Sequence, residues 1–151
     1  METWQKIIIE LFAVYAFSAT AFGYRQCKYF KNAFRLTPQY FPLGAFAWGD
    51  AVVFGLFWLV TCFITLFMGD WLLFLFTVSV FWFVRSIGET MYWFHQQFSP
   101  MQRNNLTAMP GYTIFHDDSL WFVYQIVAQC IAVVSSISSL YFGVLWVRSF
   151  S

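Results

Sequence analysis

The chain has 151 residues, of which 60% are apolar, 25% aromatic and 10% charged, a mix far from that of a soluble domain and suited to lipid as solvent. Its formal charge of +1 argues against general affinity for nucleic acid, which calls for a basic face, although the distribution of that charge still matters. Cys27, Cys62 and Cys130 stand singly, without the spacing of a metal knuckle or a disulfide framework, so no metal or cofactor is implied.

Read in order, the pattern predicts an all-α polytopic membrane protein. Four transmembrane helices would form one bundle, a single membrane domain over residues 1–151, with a short amphipathic interfacial helix after the first. The first span covers about residues 7–24. A cleaved leader is the rival reading, but Glu10 interrupts what would be its apolar core, so the segment reads as a retained helix. Ala13, Ala16, Ala19, Thr20 and Gly23 share one face, with Glu10 at its edge, and small residues at this spacing admit a second helix closely.

Residues 25–49 form a basic interfacial segment. As a helix, residues 24–36 would cluster Lys28, Lys31 and Arg35 on one side and Tyr29, Phe30, Ala33 and Phe34 on the other, the pattern of a helix lying in the headgroup layer. Arg25, Lys28, Lys31 and Arg35 are therefore candidate contacts for anionic lipid headgroups. Thr37-Pro38 ends this stretch.

The second span, residues 51–68, and the third, residues 71–90, are joined by Gly69-Asp70 alone, which implies an antiparallel hairpin. The third continues as helix to about residue 98, where Ser99-Pro100 breaks it. Arg85, Glu89, Tyr92 and Gln96 recur on one face of this helix with His95 on its flank, and Arg85 and Glu89 are spaced to neutralise each other.

A polar loop over residues 99–117 leads into His116-Asp117-Asp118-Ser119, which reads as the N-terminal cap of the last helix. Asn105-Leu106-Thr107 matches a glycosylation acceptor, a common chance pattern. The last span, residues 119–147, carries the most regular polar stripe. Asp118, Gln125, Gln129, Ser136 and Gly143 fall within a narrow sector, with Ser139 beside it.

Four spans put Arg25, Lys28, Lys31, Arg35 and Arg103 on one side with interfacial Arg85, and leave Lys6 and Arg148 on the other. The basic side is expected to be cytoplasmic, or its organellar equivalent, and both termini to face away from it. The membrane would be a plasma or inner membrane, or an organellar inner membrane. That arrangement brings Asp50, Arg85, Glu89, Tyr92, His95, His116, Asp117 and Asp118 to one membrane surface as a polar cup. From the cup the stripe of Gln125, Gln129, Ser136 and Ser139 would climb towards Glu10 near the far side.

The sequence identifies no reaction and no ligand. It lacks GxSxG, HExxH, a Gly-rich phosphate loop and a dinucleotide fingerprint. The expected function is a non-catalytic accessory or assembly subunit, packing against other membrane subunits or copies of itself through polar and small-residue faces. One alternative is a self-assembling channel or transporter with a path along Gln125, Gln129 and Ser136. Another is a membrane-embedded enzyme working at the cytoplasmic-side interface.

Overall fold

The computed structural model describes residues 1–99 and 105–150, and most of them lie in four helices: α1 (Thr3–Phe30), α2 (Trp48–Met68), α3 (Trp71–Phe98) and α4 (Ser119–Arg148). All four are long and apolar enough to cross a membrane, as in an integral membrane protein. The break expected at Pro100 and the orienting cation Arg103 lie outside the described residues. The chain divides into two compact units, Met1–Thr77 and Val78–Ser151, with the boundary inside α3.

The first unit is built on an antiparallel pair, α1 and α2, that packs through small residues. Ala16, Ala19 and Gly23 are buried on α1, and Ala51 and Gly55 on α2. A Cβ on Gly55 would stand 2.2 Å from Thr20 Oγ1, 2.8 Å from the Ala16 carbonyl oxygen and 3.0 Å from the Thr20 amide nitrogen. One on Gly23 would meet the Trp48 carbonyl and Val52 at 3.0 Å. The backbones touch here because nothing larger intervenes, the usual way to gain dispersion energy where lipid supplies no hydrophobic drive. Towards the start of α1 the contacts turn aromatic: Phe12 packs edge-on against Trp58 at 5.2 Å and Phe74 at 5.8 Å, and Trp4 against Trp71 at 5.5 Å. The short Gly69-Asp70 link suggested α2 and α3 as this unit's intimate pair; small residues make it α1 and α2. The link itself works as read. Gly69 takes φ 66° to close α2, and Asp70 Oδ1 accepts from the Leu73 amide at 3.0 Å to open α3.

The predicted interfacial helix over residues 24–36 does not form as a separate element. Tyr24–Phe30 are the last turns of α1, which ends where Lys31 adopts φ 53° and its amide returns to the Gln26 carbonyl. The chain then folds back on α2. Gly49 and Trp48 amides donate to the Ala33 and Arg35 carbonyls at 2.9 and 3.2 Å, and the Thr37 amide to Phe46 at 2.8 Å, so backbone pairing replaces the missing helical turns. A 3₁₀ segment over Pro38–Leu43 follows, with Tyr40 and Leu43 buried. The Trp58 indole anchors it by donating to the Leu43 carbonyl at 3.1 Å, and the Tyr15 hydroxyl donates to the Gln39 carbonyl.

The second unit contains the rest of α3 and all of α4. Its core is Trp93, Met109, Leu120 and Trp121, where α3's last turns meet α4's first. Trp93 stacks on Trp121 at 5.5 Å and on Tyr124 at 4.7 Å, and the Tyr124 hydroxyl donates to the Pro110 carbonyl at 2.8 Å. Buried residues then recur every seven positions: Ser79, Ser86 and Trp93 on α3, and Trp121, Ala128 and Ser135 on α4.

Candidate functional site

Hydroxyls within the helices are largely satisfied by their own backbone. Thr20, Thr65, Thr77, Thr90, Ser138 and Ser139 each donate to the carbonyl four residues earlier, at 2.7 to 3.0 Å. This answers the cost of carrying a polar group through hydrocarbon without calling on another helix. It also removes Ser139 as a free donor on the α4 stripe.

The amides differ: Gln97 Nε2 lies 3.4 Å from the Trp93 carbonyl of its own helix and also reaches across to α4. Gln125, near the start of α4, accepts from Gln97 Nε2 on α3 at 2.6 Å and is half-buried. Gln129 is exposed, and neither it nor half-buried Ser136 has a hydrogen-bond partner among the described residues. Gln129 stands ten residues into α4, about 15 Å along an axis of roughly 45 Å, which puts it within about 8 Å of the helix midpoint. It lies inside the hydrocarbon for any placement that centres α4 in a bilayer about 30 Å thick.

The buried line of α4, through Trp121, Ala128 and Ser135, is offset one residue from this stripe, about 100° around the helix. Sequence reading missed it because its members are an aromatic, an alanine and a serine, which no hydrophobicity contrast separates from their neighbours. The seven-residue spacing shared with Ser79, Ser86 and Trp93 was the available signal. Gln129, Ser136 and Gly143 repeat at the same interval one position on, a second line at seam spacing.

The residues of the expected cup take distinct local roles. Asp50, in the first unit, caps α2: its Oδ2 accepts from the Phe46 and Ala47 amides at 3.2 and 3.3 Å. Glu10, in the same unit, is exposed on α1. In the second unit Arg85 Nη2 stands 2.8 Å from Glu89 Oε1 one turn later, with the two side chains 17% and 12% exposed. A pair this close and half-buried neutralises its charges where either alone would be costly. Tyr92 is exposed and meets Trp93 edge-on at 4.9 Å, while His95 is exposed near the end of α3. His116 is exposed, edge-on to Tyr112 at 6.1 Å.

Capping of α4 falls to Asp117, whose Oδ1 accepts from the Ser119 amide at 3.0 Å; Asp118 occupies the cap position without a side-chain bond. Hydrogen bonds from the Ser119 hydroxyl and then its amide hold the Asp117 carboxyl below the usual carboxylate range. Asn105 Oδ1 accepts from the Thr107 amide and hydroxyl at 3.2 and 2.9 Å, so the candidate acceptor closes a local turn. Among the described residues no group of three or more His, Cys, Asp or Glu side chains could hold a metal ion.

The described residues thus hold four helices long and apolar enough to cross a membrane, and on α4 neither Gln129 nor Ser136 has a hydrogen-bond partner among them. No protein family, curated protein or solved structure matches this chain.

Proposed function

We propose that the protein is a non-catalytic membrane subunit that holds its place in a larger assembly through α4. The observation that carries this reading is Gln129, an exposed amide without a partner deep in a helix long enough to span the bilayer. A hydrogen bond between helices in lipid contributes about 0.6–1.7 kcal/mol, enough to set register though not to hold an assembly alone. Ser136 and Gly143, one and two heptads along, supply the low relief that a neighbouring helix needs for close approach. What favours a subunit over a channel is the state of the remaining polar groups. Arg85 and Glu89 face each other, and the Ser139 hydroxyl is bound to its own helix. A conducting path needs groups free to exchange partners with the permeating species.

We place the basic end of α1 on the cytoplasmic side and both termini opposite. The test of function is isolation from native membranes in mild detergent. A companion membrane protein should co-purify with the wild type and be lost, or reduced about threefold to tenfold, with Gln129→Leu, while Gln129→Asn retains it. Equal recovery with Gln129→Leu would overturn the reading.

A further inference from the structure

The end of α1 and the fold-back after it carry an observation that packing against other subunits does not use. Arg25, Lys28, Lys31 and Arg35 are all exposed, and none makes an ion pair among the described residues. No Asp or Glu occurs between Glu10 and Asp50, and the Asp50 carboxylate accepts from the Phe46 and Ala47 amides. The segment therefore concentrates positive charge that its own unit leaves largely uncompensated.

These cations stand on a built surface. Lys28 Nζ donates to the Tyr24 hydroxyl at 2.9 Å and stands 5.2 and 5.6 Å from the ring centroids of Tyr24 and Tyr29. The two tyrosines thus hold the ammonium in place without neutralising it. Beyond the α1 cap, the Ala33–Thr37 backbone is bonded to Phe46, Trp48 and Gly49, which fixes the segment bearing Phe34 and Arg35. Tyr24, Tyr29, Phe30 and Phe34 are exposed beside the charges, Phe34 to 88%. Aromatic rings interleaved with cations at the end of a spanning helix match the layer where acyl chains give way to phosphates.

We propose that this surface is a binding site for anionic phospholipid headgroups, with Lys28 as its preorganised centre. The phosphate is met by Lys28, Arg25, Lys31 and Arg35, while the aromatic side chains take the glycerol and upper acyl region. A purely topological signal would need only the sign of the charge. The positioning of Lys28 between two tyrosines and the tied backbone beneath Arg35 are what a bound headgroup would exploit.

The test uses full-length protein in mild detergent, mixed with equimolar phosphatidylglycerol and phosphatidylcholine, with retained lipid counted by native mass spectrometry. Each surface cation contributes about fivefold in affinity, so the wild type should retain phosphatidylglycerol over phosphatidylcholine by at least about tenfold. Lys28→Gln should reduce this preference about fivefold, Lys28→Arg should largely keep it, and the combined Arg25→Gln, Lys28→Gln, Lys31→Gln, Arg35→Gln variant should bring it to parity. Arg148→Gln serves as the control and should change nothing. The wild type alone gives a second arm needing no variant: the preference should fade as NaCl rises from about 0.1 to 1 M. Equal retention of the two lipids by the wild type, or an undiminished preference in the combined variant or at high salt, overturns the proposal. Inorganic phosphate displacing the lipid beyond what chloride of equal ionic strength achieves would also overturn it, by assigning the site to free anion.

Discussion

Gln129 and Asp117 show how single side chains divide between serving their own helix and serving something else. An amide deep in α4 has both donors and an acceptor to satisfy, and no bond from Gln129 to its own helix or to another is present among the described residues. Gln129→Leu removes that need, and no hydrogen bond among the described residues is lost with it. Its folding stability in detergent should change by less than about 0.5 kcal/mol, while association falls. Equal losses of folding and association would mean that Gln129 supports the fold instead. Asp117 serves its helix alone. Its carboxyl is held low in the folded state by Ser119, so the stability it adds is present above the unfolded carboxylate value of 3.8 and is lost as pH falls through the lower folded value. An NMR titration should place Asp117 below 3.8, with the shift diminished in Ser119→Ala. A titration at or above that value contradicts the capping geometry. At the start of α4 the residue in the cap position, Asp118, makes no side-chain bond, and Asp117 before it accepts from the Ser119 amide. Which of two adjacent aspartates supplies that bond depends on the backbone turn at residues 117–118, which composition does not encode.

At the scale of elements, the decisive feature is the pairing of α1 with α2. The face of small residues on α1 was legible, because Ala16, Ala19, Thr20 and Gly23 repeat at helical spacing. Its partner was not: α2 carries its matching small residues at Ala51 and Gly55 among Val, Phe and Leu neighbours, and the short link to α3 pointed elsewhere. Gly55→Ala puts a methyl group against the Ala16 carbonyl and the Thr20 amide, which are backbone and can yield only if the helices part. It should destabilise the protein by about 1–3 kcal/mol in an SDS unfolding titration, and Gly55→Leu by more. Gly88→Ala is the matched control, since a Cβ there meets nothing within 4 Å. Equal effects at the two positions would contradict the close approach. Residues 24–36 show the reverse lesson. Their amphipathic spacing is real, but a left-handed turn at Lys31 and pairing with residues 46–49 satisfy the backbone better than further helix. Long-range pairing of this kind is invisible to a local periodicity.

For the whole molecule, hydropathy and length announced four spans, and four helices of that length and apolarity are present. Orientation rests on the distribution of cations and gives its own test. An impermeant maleimide should label a cysteine introduced at Phe34 from the cytoplasmic side and one introduced at Ser149 from the opposite side. The reverse pattern, or both from one side, would contradict the placement. Function was legible only as a location, since polar residues in lipid mark places where another group is needed without naming it. The most direct measurement replaces Gln129 with a photoactivatable phenylalanine derivative in native membranes, with a second probe at exposed Val127 to sample the far side of the helix. A subunit role for α4 predicts a protein adduct at position 129, identified by mass spectrometry as a membrane subunit or a second copy of this chain. Adducts to lipid alone at position 129 would contradict it.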